Sequence, residues 1–291
     1  MTTDRIVLAA SERRPAILDA IGSARQSIRL SMFRCTDFKV MDKLAEALAR
    51  GVKVELLLTR RAKGWEKKIR ELGQYLESMG AQVHRFAQEG VKYHAKYLVV
   101  DDTLALVSSA NLTLKCFEKT CDFMVETRDA AVVYSLTRLF NQDAATPGFH
   151  LPAGISPRLV VGPDAARTGF RRLIEGAARS IQIVDHRVTD PDMLNLLEER
   201  QAAGVTVTVY GRGAIDGLKS HGKMMLIDGQ RAAIGSISLS PPSLGKRREL
   251  ALVVDEPGSV AQFARFLERL GRGAPLALRT DAGDDDEDED E

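Results

Sequence analysis

"HAKYLVVDDTLALVSSAN", residues 94–111, and "HGKMMLIDGQRAAIGSIS", residues 221–238, carry His, Lys and Asp at the same spacing. Residues two apart in a strand point to one face, so His94 projects with Lys96 and His221 with Lys223. Each stretch then runs through apolar residues to Asp101 or Asp228, where Asp-Asp and Asp-Gly suit a hairpin turn. The returning strands bring Ser108-Ser109 or Gly235-Ser236 back beside the His-Lys pair. Each copy therefore predicts a cluster of imidazole, ammonium and hydroxyl. With Lys and Asp each near 5% of ordinary usage, a His has Lys at +2 and Asp at +7 about once in 400 cases. Two of the five histidines doing so by chance is on the order of one in 10,000.

The two stretches belong to a longer internal repeat. An offset of 153 lays "IGSARQSIRL" (21–30) on "IEGAARSIQI" (174–183), Arg34 on Arg187, and Gly51-Val52 on Gly204-Val205. The offset then becomes 127, which pairs His94 with His221, Lys96 with Lys223, Asp101 with Asp228, Ser109 with Ser236 and Asp122 with Glu249. The first half thus holds 26 extra residues, roughly "RRAKGWEKKIRELGQYLESMGAQVHR". A Pro- and Gly-containing linker at 146–158 separates the halves. We expect a first lobe over 1–150, a second over 151–278 and a disordered acidic tail over 279–291. Each lobe reads as helix (11–25; 164–178), strand, helix (37–50; 190–203), strand, hairpin, strand and helix. Thr36 or Thr189 is expected to cap the second helix, which ends at Gly51 or Gly204. Alternating strands and helices predict an α/β class.

Composition places the chain among soluble globular proteins, with 44% hydrophobic and 28% charged residues. It holds no run of about 18 apolar residues, so no membrane span is expected, and the first residues do not read as a signal peptide. Cys35, Cys116 and Cys121 have no CxxC spacing and read as reduced thiols of a cytoplasmic protein. The acids do not cluster in the sequence, so neither a metal site nor a cofactor is expected. The net charge of +1 conceals an asymmetry: residues 281–291 hold nine acids and no base, which leaves +10 on residues 1–280. A basic body suits an anionic substrate such as nucleic acid or phospholipid headgroups; it is also compatible with a plainly solvated surface.

HxKxxxxD followed by Gly/Ser-Ser-x-Asn resembles the HKD motif of the phospholipase D superfamily, whose members act on phosphodiesters. The resemblance covers nearly everything but the tail. It implies two related α/β/α sandwich lobes with pseudo-twofold symmetry and one active site between them. It also implies that one imidazole attacks phosphorus to form a phosphohistidine while the other protonates the leaving oxygen. By that likeness His94 is the nucleophile and His221 the acid, and Lys96 and Lys223 neutralise the non-bridging oxygens. Ser109, Asn111, Ser236 and Ser238 bind substrate, and Asp122 and Glu249 each orient an imidazole. Asp101 and Asp228 lie too far along the strand to reach phosphorus and are assigned structural roles. Two positions depart from the pattern: Ser108 replaces the usual Gly, and Ser238 replaces the usual Asn, removing an amide donor. With both motifs in one chain, a monomer is expected.

The substrate is left open between lipid and nucleic acid. Arg60, Arg61, Lys63, Lys67, Lys68, Lys246, Arg247 and Arg248 could track a phosphate backbone. Aromatics are only 5%, so base stacking is not supported. The inserted helix carries Trp65, Ile69, Leu72, Tyr75 and Leu76 at near-helical spacing; such a stripe could make a peripheral membrane contact, and more often packs on a core. A binding protein that kept the fold without turnover is the third class. The acidic tail could occupy a basic cleft as a phosphate mimic. Deleting residues 280–291 is then expected to raise turnover or lower KM at low salt; an unchanged rate rejects the mimicry.

Overall fold

The computed structural model describes residues 4–59, 66–86, 88, 90–145, 151–211 and 213–270, with the backbone of 274–275. Arg60, Arg61, Lys63 and Trp65, part of the linker (146–150) and the acidic tail lie outside the described residues.

The first half runs β1 (Asp4–Val7), α1 (Ala10–Ser23), β2 (Ser27–Met32), α2 (Phe38–Ala49), β3 (Lys53–Thr59), α3 (Glu66–Ser78) and β4 (Gln82–Phe86). It continues through β5 (Lys92–Tyr93), β6 (Tyr97–Val100), β7 (Leu104–Ser108), α4 (Leu114–Glu118), β8 (Thr120–Cys121), β9 (Met124–Thr127) and α5 (Ala130–Ala145). The second half runs β10 (Leu159–Val161), α6 (Ala166–Glu175), β11 (Ser180–Val184), α7 (Pro191–Ala202), β12 (Thr206–Tyr210), β13 (Ala214–Ile215) and β14 (Leu218–Ser220). It ends with β15 (Lys223–Ile227), β16 (Arg231–Gly235), α8 (Pro241–Gly245), β17 (Arg247–Arg248), β18 (Leu250–Val254), α9 (Pro257–Arg269) and β19 (Ala274–Pro275).

Two seven-stranded sheets result, ordered β1-β9-β7-β6-β2-β3-β4 and β10-β18-β16-β15-β11-β12-β19. Position by position they correspond, as the repeat requires, except at the last strand. There β4, from the insertion, lies parallel to β3, whereas β19 runs antiparallel to β12. The chain end thus covers the edge that the shorter half would otherwise leave bare.

Local chemistry explains the helix limits, with one correction. The N-caps of α2 and α7 are Asp37 and Asp190, not Thr36 and Thr189; each carboxylate accepts from the amide three residues on. The threonines sit one residue too early, with their N–H groups bonded to Leu112 O and Leu239 O. Gly51 (φ 83°) and Gly204 (φ 91°) close these helices in the left-handed region that other residues resist. Asp101 (φ 51°) and Asp228 (φ 54°) occupy the hairpin turns. Their carboxylates accept from the backbone N–H groups of Arg25, Gln26 and Ser27, and of Ala178, Arg179 and Ser180. Each therefore ties a hairpin to the start of β2 or β11.

Three large apolar clusters hold the layers. One packs α1 and α2 on the outer face of the first sheet and another packs α6 and α7 on the second. The largest joins both sheets with α5 and α9, from Ile6 and Phe140 to Leu250 and Phe266, so the halves share their central core. The inserted α3 buries Ile69 against Phe33 and Leu76 in the first outer cluster. Those two members of the apolar stripe are core residues and not a free face for a membrane.

Two short parallel ladders stitch the seam: β5 with β17 and β8 with β14. Gly222 sits where they close. A Cβ there would lie 2.7 Å from Cys121 O and from the Phe123 ring. Gly222→Ala is expected to cost about 1–3 kcal/mol, the range for overpacking, read as a lowered midpoint in chemical denaturation; an unshifted midpoint would mean the seam yields freely.

Candidate active site

The seam ladders place the site. Their registers pair Arg247 with Lys92 and Arg248 with Tyr93, then Lys219 with Thr120 and Ser220 with Cys121. One residue further, each register sets a histidine beside a carboxylate of the opposite lobe. His94 Nδ1 donates to Glu249, and His221 Nδ1 donates to Asp122 Oδ1 at 2.8 Å. The acids thus serve the other half's imidazole, a crossing that the sequence pattern alone did not contain.

Both imidazoles line one cavity of about 50 Å³, together with Thr120, His186, Arg187, Lys219, Ser220, Lys223, Ser236, Ser238, Arg247 and Glu249. Arg187, Lys219, Lys223 and Arg247 face a single carboxylate there, so the cavity favours an anion. Lys96 is fully buried, with Nζ 2.9 Å from His94 Nε2. An ammonium can only donate, so Nε2 holds the lone pair and Nδ1 the proton given to Glu249. Lys223 Nζ donates to His221 O at 2.8 Å.

The two carboxylates differ. Burial alone would raise Asp122, but the charge and hydrogen bond of His221, then Arg13 and Ser109, outweigh it and hold the carboxyl well below its usual range. Ser109 and Thr120 both donate to it, at 2.6 and 2.5 Å. Glu249 is instead raised by burial, against the pull of Arg247, Ser243 and the two lysines. His94 is held well below the usual imidazole value, first by burial and then by Lys96, Arg247, Lys223 and Lys92.

Not every expected residue faces the cavity. Ser109 is turned to Asp122 and therefore supports the carboxylate. Asn111 is fully buried and outside the cavity wall. Ser236 and Ser238 line the wall, but the Ser238 hydroxyl donates to Asp185 at 2.9 Å and Ser236 pairs with the backbone of Leu250. Ser108 Oγ accepts from Ala110 N at 2.9 Å, which tightens the turn beside the site. Arg248 is not a surface cation: it is fully buried, 3.2 Å from Asp143 and 3.4 Å from Asp164.

The sequence matches the family model described as "Cardiolipin synthase, PLD-like domain" over residues 17–144 and 158–270. The chain belongs to this phospholipase D family. Polyphosphate kinase from Porphyromonas gingivalis aligns with a TM-score of 0.75 at 19% identity, over 91% of this chain and 46% of that one; this chain spans less than half its length. Phosphatidylserine synthase from Haemophilus influenzae Rd KW20 aligns at 0.70 and 11% identity, over 92% and 85%. At these identities the likeness shows the fold. A search of the curated proteins finds no match.

Within this family member, sequence reading missed Asp185, His186, Arg187 and Arg13. His186 stacks near His221, with centroids 6.5 Å apart, and occupies the repeat position of Phe33, whose ring meets His94 edge-on at 4.7 Å. Arg187 was visible as the repeat partner of Arg34, a signal that could have marked it. Arg13 Nη1 donates to Cys116 O and Thr120 O at 3.0 and 2.5 Å, behind Asp122.

His94 is expected to stay neutral as pH falls through the ordinary imidazole range, and to gain its proton only below it. NMR titration of the His94 ring checks this, and Arg247→Gln should move the midpoint upward by removing a neighbouring charge. A wild-type midpoint at or above 6.5 would contradict the electrostatics.

Proposed function

We propose that the protein cleaves or transfers a phosphodiester through a phosphohistidine, with His94 as nucleophile and His221 as general acid. One observation carries this reading: two His-Lys pairs from opposite lobes open on one cationic cavity, each imidazole held at Nδ1 by a carboxylate. Nε2 is then the nitrogen left for chemistry on both rings. His94, neutral beside its cations, attacks phosphorus once Lys96 passes from Nε2 to a phosphoryl oxygen. As the N–P bond forms and the P–O bond breaks, His221 gives its proton to the leaving oxygen. Asp122, which remains a carboxylate, keeps that imidazolium charged until the transfer. His221 next takes a proton from water or an alcohol, whose oxygen attacks phosphorus and frees His94.

The substrate is a phospholipid or a nucleic acid; the cationic wall and the +10 body are compatible with both. The complete site lies within one chain, which supports a monomer. No helix among the described residues is long and apolar enough to cross a membrane. Three buried free thiols support a reducing compartment, the cytoplasm.

Purified protein in EDTA is incubated with single-stranded DNA, duplex DNA, RNA and phosphatidylglycerol vesicles, with and without a primary alcohol. Activity on one class is expected to survive the chelator. His94→Ala should abolish it, and His221→Ala should lower it about 10²–10⁴-fold and trap an acid-labile phosphoryl group on His94. Full activity of His94→Ala would favour a binding protein on this fold; loss in EDTA restored by magnesium would reject the mechanism.

A further inference from the structure

Cys116, Asp122 and His221 offer a sulfur, a carboxylate oxygen and an imidazole nitrogen within 4.8 Å of one another. The sequence reading, which found no metal cluster, is corrected on this point: residues 116, 122 and 221 meet only because the seam ladder brings the lobes together. We propose that these three side chains form an inhibitory site for a thiophilic divalent cation of the zinc class. The inhibition, though not the binding, rests on the phosphohistidine reading.

Three observations support the site. The donors are the set that zinc takes, and hard cations such as magnesium do not. The site is built: Cys116 and Asp122 are 1% and 0% exposed, and Asp122 is fixed by Ser109 and Thr120. The repeat shows that the thiol is a departure. At the offset of 127, Cys116 matches Ser243, whose hydroxyl donates to Glu249. The second lobe supports its carboxylate with a good hydrogen-bond donor, while the first has a poor donor that is a strong metal ligand at the same place.

Charge also balances. Arg13 lies close, donating to Cys116 O and Thr120 O, and would repel added positive charge. A divalent ion that takes the thiolate and the imidazole releases two protons, one from the thiol and one from His221 Nδ1 beside Asp122. The cluster's net charge is then unchanged. Metal–sulfur and metal–nitrogen bonds of about 2.3 and 2.0 Å put tetrahedral donors about 3.5 Å apart, so the present spread must contract by roughly 1 Å. A metallated His221 is no longer an imidazolium and cannot protonate a leaving group.

Reduced full-length protein is titrated with Co²⁺. About one equivalent should produce a near-ultraviolet thiolate-to-cobalt band, which Zn²⁺ abolishes. Cys116→Ser, which copies the second lobe, should show no band, and Cys121→Ala should keep it; thermal melting confirms that both variants fold. The carboxylates of 281–291 can bind Co²⁺ without giving this band. Zn²⁺ should inhibit the wild type at least tenfold more tightly than Cys116→Ser, each read against its own zinc-free rate. Absence of the band in wild type, or its persistence in Cys116→Ser, overturns the site. A cobalt band in a protein that cleaves no phosphodiester would leave the site standing and reject the catalytic reading instead.

Discussion

The structure depends on a register. Two ladders of two residues each run parallel across the seam, and their continuation places His94 against Glu249 and His221 against Asp122. Neither ladder could hold alone, since isolated strand pairs of this length are unstable. They persist because one apolar core lies beneath both sheets and fixes the lobes at the spacing the ladders need. Slippage by a single residue would leave two carboxylates buried without partners, a penalty of about 3–5 kcal/mol for each broken pair. Burial therefore enforces the geometry that chemistry requires, and neither lobe contains a complete site.

Within that symmetric frame the halves have diverged where the roles of the imidazoles must differ. Asp122 receives two hydroxyl donors and has Arg13 behind it, so it stays ionised beside His221. Glu249 is raised by burial, while a ring of cations keeps His94 neutral. A perfectly symmetric pair would offer two imidazoles of equal basicity and no preferred direction for the proton. The supporting residues supply the asymmetry, and the His and Lys residues themselves do not.

The repeat made the fold legible. Two offsets predicted paired lobes, equivalent hairpins and the inserted α3 and β4 before any coordinates, because strand and helix periods are local properties of the chain. The crossing of the carboxylates was not legible. Asp122 and Glu249 each follow their own lobe's histidine by 28 residues, so spacing alone favours pairing within a lobe. Contacts between lobes leave no periodic trace. The same limit hid Asp185 under Ser238, the burial of Arg248 against Asp143, and the meeting of Cys116 with His221. The capping error was of another kind: Thr36-Asp37 and Thr189-Asp190 each present two good caps in a row, and the choice is made by which N–H a neighbouring loop has already taken.

The insertion also bears on how a substrate reaches the phosphorus-binding residues. In the first lobe α3 lays Ile69 on Phe33, and that ring covers one flank of His94 with Lys92 and Lys96 over it at 5.1 and 5.6 Å. The second lobe has no such helix, and His186 stands in the place of Phe33 with its ring on the cavity wall. The consequence is a lopsided cavity. Of its twelve lining residues only His94 and Thr120 come from the first lobe, and the other ten come from the second. A phosphodiester that reaches His94 must therefore lie across the second lobe, with its leaving group on the side of His221, Arg187 and His186. Twofold symmetry built the pocket, and the insertion in one half gives it a single direction of approach.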